Sequence, residues 1–169
     1  MSVSPTGPAR ELREGAVVTG ARCLVLYSGL GGVEELARAV GEGLRGGGLA
    51  VDLVRADRAA PGPFPVGAYV LVCLGSPVLG GWRGQAAHDV LELVGRCRPL
   101  EGKRGACFVR RRLWGTRSAL LQMMAALERQ GVWVEDFEAV ASPEQARRFG
   151  QRLQALATPR RAGAEAAGL

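Results

Sequence analysis

The segment Ser28-Gly29-Leu30-Gly31-Gly32 is the part of this chain best suited to bind an anion. It follows the apolar run Cys23–Tyr27, which has the length of a strand, and it precedes a helical pattern. A glycine-rich loop between a strand and a helix leaves backbone N–H groups free at the positive end of the helix dipole. The segment is therefore predicted to hold a phosphate group.

Two further segments carry side chains suited to a planar ligand. One runs from Gly75 to Trp82 and is rich in glycine, and the other is Arg110-Arg111-Arg112-Leu113-Trp114-Gly115. Each contains a tryptophan that could stack on an aromatic ring, and the triple arginine would place positive charge beside it. The alternative is that both tryptophans are ordinary loop aromatics that cover the end of a sheet.

The remaining reactive residue types give no sign of catalysis or metal binding. The only histidine, His88, has no serine or cysteine nucleophile placed to use it, so we expect an exposed polar side chain. The four cysteines, Cys23, Cys73, Cys97 and Cys107, lack the spacing of metal ligands or of a redox motif. Three of them fall in predicted strands, where a thiol behaves as a small apolar group. This pattern predicts a reduced, cytoplasmic protein with no catalytic residue of its own.

The three segments are positioned by alternating strand and helix patterns. The predicted strands cover 22–27, 50–55, 69–74, 106–109 and 132–139, and the predicted helices cover 32–44, 85–97, 116–130 and 143–157. This alternation predicts an α/β fold with a doubly wound, five-stranded parallel sheet, a three-layer sandwich of strand order 2-1-3-4-5. Strands one, three and four are neighbours in that order, so the loops that follow them would form one crevice. Trp133, inside the fifth strand, is predicted to lie in the core.

Length and charge narrow the function further. A chain of 169 residues fits one domain, predicted over 21–157, with a flexible arm over 1–20 and a flexible tail over 158–169. The net charge of +6 comes almost entirely from arginines spread along the chain, and aromatic residues are too few to stack bases. A solvated basic surface is therefore favoured over nucleic-acid binding. No apolar run approaches the roughly eighteen residues of a membrane span, so we expect no membrane association.

From Cys23 to Leu156 the sequence resembles the short-chain flavodoxins, which are FMN-binding electron-transfer proteins. The first segment, continued by Val33 and Glu34, is similar to the phosphate loop of that family, and 75–81 is similar to its second flavin loop. The segment 100–104 ahead of the fourth strand and the last helical segment, 143–156, add to the resemblance.

The resemblance implies an electron-transfer or oxidoreductase function with FMN as the cofactor. It implies that the phosphate is held by the first segment, which comprises Ser28, Gly29, Leu30, Gly31, Gly32 and Val33. It implies that the isoalloxazine ring lies between two sets of residues, with Ser76, Pro77, Val78, Leu79, Gly80 and Trp82 on one side and Arg112, Trp114 and Gly115 on the other. Because this chain is basic, we expect a redox partner with an acidic surface.

The sequence also departs from the family. Flavodoxins usually carry hydroxyl groups at the positions of Ser28, Leu30 and Val33, and only Ser28 keeps one. Each hydrogen bond to a charged group contributes roughly 1.5–3 kcal/mol, so two lost hydroxyls would weaken FMN binding by about a hundred- to ten-thousand-fold. The family also often has an aromatic ring where this chain has Leu79. The alternative interpretation is a flavin-free flavodoxin-like module that binds another molecule.

Overall fold

A five-stranded parallel sheet is the centre of the computed structural model, which describes residues 20–158. The strands are β1 (Arg22–Tyr27), β2 (Ala50–Arg55), β3 (Leu71–Ser76), β4 (Arg104–Arg110) and β5 (Trp133–Val140). The helices are α1 (Val33–Arg45), α2 (His88–Arg96), α3 (Thr116–Arg129) and α4 (Pro143–Ala157). The order β2-β1-β3-β4-β5 confirms the predicted doubly wound topology. The predicted arm and tail fall outside the described residues, apart from residues 20 and 158.

The sheet separates two apolar cores. Cys23 and Val25 of β1 pack in the core shared with α1 and α4, whereas Leu24 and Leu26 pack in the core shared with α2 and α3. Successive side chains of a strand point to opposite faces, so a strand covered by helices on both sides must be apolar at every position. This is why the segment before the first glycine-rich loop is an unbroken apolar run. Within residues 20–158, no helix is both long enough and apolar enough to cross a membrane.

Several element boundaries differ from the predicted ones because of local pairing. β3 ends at Ser76, two residues beyond the predicted end of the third strand. The second helix begins at His88 instead of residue 85, because the backbones of Leu79 and Gln85 are hydrogen-bonded to each other over 2.8 and 2.7 Å. Two-residue strands at Phe64–Pro65 and Cys97–Arg98 pair in parallel and were not predicted. Cys97 therefore ends the second helix instead of belonging to it.

The prediction that Trp133 lies in the core is wrong. This residue begins β5, which is an edge strand of the sheet. Trp133 is 70% exposed instead of buried in the core, because it is the first residue of this edge strand and no element covers its face of β5 there within the described residues. Glu135 is an extra residue: Val134 lies opposite Gly105, and the next paired residue, Asp136, lies opposite Ala106. This β-bulge interrupts the regular pairing of β5 with β4.

Candidate functional site

Three loops meet at the carboxyl ends of the central strands, as the sequence predicts. Loop one (28–32) follows β1, loop two (77–87) follows β3, and loop three (111–115) follows β4. These strands are adjacent in the sheet, so the loops lie side by side. The N–H of Ser28 donates a 3.0 Å hydrogen bond to the carbonyl of Gly75, which ties the start of loop one to the end of β3. In doubly wound sheets this end of the strands is where ligands bind.

The hydrogen-bond donors of loop one are directed at a carboxylate of the chain itself. The hydroxyl of Ser28 donates to Oδ2 of Asp89 over 3.0 Å, and the N–H of Gly29 donates to the same oxygen over 2.9 Å. The Ser28 hydroxyl also accepts a 3.1 Å bond from the N–H of Leu30. Asp89 lies in the first turn of α2, which brings its side chain to loop one. A carboxylate therefore occupies two of the loop-one donors that a phosphate would need.

The remaining positions of loop one are fixed by close contacts with its neighbours. Gly31 and Gly32 have φ angles of 66° and 67°, which side chains disfavour, and a Cβ atom on Gly31 would overlap the ring of Pro77. Nη1 of Arg110 donates to the carbonyl of Gly31 over 3.0 Å. Val33, by contrast, is buried in the core under α1. Its side chain packs in the protein interior, so only its backbone could contribute to an anion site.

Loop two is stabilised from within and from loop three. Ser76 is fully buried, and its hydroxyl donates to the carbonyl of Pro77 and accepts from the N–H of Ala87, both over 2.8 Å. Nη1 of Arg112 donates to the carbonyls of Val78 and Gly80 over 2.7 and 3.2 Å. Both the serine and the arginine that were expected to face a ring therefore hold the backbone of loop two.

Loops two and three also touch directly at two glycines. A Cβ atom on either Gly84 or Gly115 would overlap the backbone of the other glycine, so only glycine permits this approach. Gln122 of α3 strengthens the contact. Its Oε1 accepts from the N–H of Ala86 over 3.0 Å, and its Nε2 donates to the carbonyl of Gly84 over 3.3 Å. The gap between these loops, where the sequence predicts a ring, is bridged by the chain's own atoms.

The tryptophans of loops two and three face solvent. Trp82 is 75% exposed and Trp114 is 65% exposed, and the guanidinium of Arg83 lies 5.4 Å from the centre of the Trp82 ring. Trp82 borders a shallow groove of about 710 Å³ between loop two and α3. The other residues lining this groove are Arg83, Gly115, Arg117, Ser118, Leu121, Gln122 and Ala125.

FMN would fit this site only after two rearrangements. A phosphate monoester carries about −1.5 to −2 charges at neutral pH, and it would have to displace the like-charged Asp89 from Ser28 and Gly29. The ring would then have to separate loops two and three, which Arg112 and the glycine contact hold together. The binding roles assigned to the residues of all three loops stay predictions.

Asp89 is the residue that sequence analysis missed. In the sequence it is only the helical neighbour of His88, whose side chain is exposed and lies 3.9 Å from Glu92. The only sequence feature that points to Asp89 is its position near the start of the helix that follows loop two. A carboxylate at a helix N-terminus is common for reasons of local stability, and therefore this signal does not identify a partner 60 residues away.

Comparison with known proteins identifies the fold. The sequence matches no protein-family model and no curated protein. The structure is similar to a short-chain flavodoxin associated with a bacterial microcompartment, with 15% identity, a TM-score of 0.62 and coverage of 82% of this chain and 99% of that chain. The structure is also similar to an archaeal flavodoxin, with 15% identity, a TM-score of 0.60 and coverage of 79% of this chain and 96% of that chain. For two-electron reduced Megasphaera elsdenii flavodoxin the identity is 19% and the TM-score is 0.54, and the match covers 79% of this chain and 98% of that chain.

Proposed function

We propose that this chain, which has the flavodoxin fold, is a flavin-free module that binds an acidic partner protein at loops two and three. The observation that carries the proposal is the carboxylate of Asp89 on Ser28 and Gly29, where a flavin phosphate was expected. A ligand that must first break the hydrogen bonds of these two donors gains little from them. The alternative function predicted from the sequence is therefore favoured over FMN-dependent electron transfer.

The tryptophan surface is the part of the molecule that supports partner binding. We define it by the exposed side chains of Trp82, Leu113, Trp114 and Leu121. Exposed large apolar side chains on neighbouring loops and an adjacent helix are typical of interaction sites. Tryptophan and arginine are also the residue types most enriched at the centres of protein interfaces.

The charge around the tryptophan surface indicates the chemistry of its partner. The groove beside Trp82 is lined by eight described residues, of which Arg83 and Arg117 are charged and none is a carboxylate. A partner that presents carboxylates around apolar side chains would pair with both arginines and cover both tryptophans. We therefore propose an acidic, amphipathic protein segment as the occupant.

FMN-dependent electron transfer is the second candidate function. It is favoured by the convergence of three loops on adjacent strands in a fold shared with flavodoxins, one of which has been solved in a two-electron reduced state. In this case Asp89 would have to leave loop one, and Ser28 and Gly29 would bind the phosphate. The flavin would supply the redox chemistry, and the arginines of loop three would favour an acidic redox partner.

Flavin titration separates the two candidates. We expect the purified protein to show no flavin absorbance, and we expect added FMN to leave its tryptophan fluorescence unquenched. Riboflavin, which lacks the phosphate, serves as the control. A flavin spectrum, or FMN bound more tightly than riboflavin, would contradict the flavin-free proposal and support electron transfer.

A designed peptide tests the tryptophan surface. The probe is a helical peptide with leucines along one face and glutamates elsewhere, and its lysine counterpart is the charge control. Replacing Trp82 and Trp114 together by alanine is expected to weaken binding of the acidic peptide at least tenfold, because buried tryptophans dominate interface energies. Trp133→Ala removes an equally exposed tryptophan from the far edge of the sheet and should leave the affinity unchanged.

The contribution of charge is measured in the same assay. Affinity for the acidic peptide should fall as salt rises, because ions screen exposed arginines. Equal binding of the two peptides, equal loss in the Trp133→Ala variant, or no binding at all would contradict the proposed acidic partner.

We also propose that the chain works in a reducing compartment such as the cytoplasm. All four cysteines are buried and unpaired among the described residues. Burial raises the pKa of Cys23 to about 12 and that of Cys97 to about 11, which keeps both thiols protonated and unreactive. These properties support a structural role for the thiols.

A further inference from the structure

We propose that Asp89 is an internal substitute for a phosphate group, which keeps anionic ligands out of loop one, and that removal of its carboxylate opens an anion site there. The inference goes beyond partner binding, because it concerns loop one, on the other side of loop two from loop three. It also gives a physical reason why a flavodoxin fold would not hold FMN.

The geometry of loop one around Asp89 is that of a bound anion. Two donors of different kinds, the Ser28 hydroxyl and the Gly29 amide, converge on the single oxygen Oδ2 over 3.0 and 2.9 Å. The other oxygen, Oδ1, accepts from the N–H of Val90 over 2.7 Å. Both oxygens are therefore hydrogen-bonded, and Ser28 is buried, with 1% of its surface exposed. A carboxylate held in this way takes the place of an external anion.

The cations next to loop one, Arg55 and Arg110, are directed at Asp57 and at the Gly31 carbonyl, and neither pairs with Asp89. Asp57 also lies close to Gly29, since a Cβ atom on that glycine would be 2.6 Å from the Asp57 carboxylate. Asp57 is paired with Arg55, whose Nε lies 2.7 Å from Oδ1, and Arg55 also donates to the Gly29 carbonyl over 3.4 Å. The arginine thus offsets the charge of Asp57, whereas every donor to Asp89 among residues 20–158 is neutral. Asp89 is therefore the negative charge that an incoming anion would have to displace.

The connection of Asp89 to the backbone makes it a strong competitor. A group tethered next to its binding site has an effective concentration in the millimolar range or above. A free anion of similar intrinsic affinity must exceed that concentration to displace it, and it must also overcome the repulsion between like charges. A ligand with a phosphate group that is present at micromolar concentration is therefore excluded from loop one, although the Ser28 hydroxyl and the Gly29 N–H could bind it.

Inorganic phosphate is the probe that tests this inference. In the Asp89→Ala variant, phosphate should bind loop one at least tenfold more tightly than in the unmodified protein. The binding is measured by calorimetric titration and by the rise in the thermal unfolding midpoint with phosphate concentration. Glu92→Ala is the matched control, because Glu92 is on the same helix and lines the same 350 Å³ groove as Asp89 but has no hydrogen bond to loop one. It removes the same charge and should not gain affinity.

Two more variants locate the effect. Asp89→Asn keeps the shape of the side chain but removes its charge, so it should bind phosphate more tightly than the unmodified protein and less tightly than Asp89→Ala. If Asp89→Ala does not fold, the phosphate affinity of Asp89→Asn tests the inference in its place. Adding Ser28→Ala to Asp89→Ala, or to Asp89→Asn in that case, should abolish most of the gain, because it removes one of the two donors. Equal phosphate affinity in the unmodified protein, the Asp89 variants and Glu92→Ala would overturn the inference.

Discussion

Replacing Gly150 by alanine is expected to lower the free energy of unfolding by about 3 kcal/mol, the upper part of the range for overpacked interiors. Gly150 lies where α4 crosses α1, and a Cβ atom there would overlap the backbone carbonyl of Val40. Gly43 makes the reciprocal contact, because its own Cβ atom would overlap the carbonyl of Arg147. Both obstacles are backbone atoms, which no rotation of a side chain can move. The two helices would have to separate, and the core beneath them would loosen.

Gly95 provides the matched control for this substitution. It also lies in a helix, α2, but a Cβ atom there would have no neighbour within 4 Å. Gly95→Ala should therefore raise the free energy of unfolding by about 0.5–1 kcal/mol, since alanine favours helices over glycine. Urea unfolding of the two variants measures the difference. If the free energy of unfolding changed by a similar amount and with the same sign in both variants, backbone contact would not set the distance between α1 and α4 at their crossing.

Gly115→Ala is expected to have an effect of similar size, about 3 kcal/mol of lost stability. Part of it is the left-handed backbone conformation, with φ of 76°, in which a side chain costs about 1–2 kcal/mol. The rest, about 1–3 kcal/mol, comes from overlap with the backbone of Gly84. The variant could relieve the overlap by separating loops two and three, which would change the surroundings of the exposed Trp82 and Trp114.

Gly48 separates these two contributions. Its φ is 80°, similar to that of Gly115, but a Cβ atom there would meet open space. Gly48→Ala should therefore cost only the conformational part, about 1–2 kcal/mol, and leave the tryptophan fluorescence unchanged. Denaturant unfolding gives the stabilities, and the emission maximum reports on the loops. If the two variants lose the same stability with no change in emission, the contact between loops two and three contributes nothing.

The parts of the fold that depend on local pattern were predictable from the sequence. The predicted bounds of β1 and β2 agree with the structure at both ends, because each strand is a short apolar or alternating run between polar or glycine-rich segments. The strand order followed from the alternation of strands and helices. The exposure of Trp133 could not be predicted in this way. A strand pattern shows that one face is apolar, but it does not show whether another element covers that face.

The candidate site was predictable in its location but not in its contacts. Adjacent strands placed the three loops together, as expected from topology. The arginine contacts, in contrast, are made to backbone carbonyls: Arg110 donates to Gly31, and Arg112 donates to Val78 and Gly80. A carbonyl is present at every residue, so sequence carries no information about which one accepts. The partner of Asp89 is hidden for a related reason, because one of the two donors from loop one is a backbone N–H.

The bulge at Glu135 affects how copies of this chain behave at high concentration. β5 is an edge strand with exposed Trp133 and Phe137, and a flat edge of this composition is a template for intermolecular strand pairing and aggregation. The extra residue breaks the regular spacing of backbone groups and increases the local twist of the strand. Arg152 adds fixed charge beside the same strand through its ion pairs with Asp136 and Glu138. The edge therefore resists aggregation through its shape and its charge, although its side chains alone would promote it.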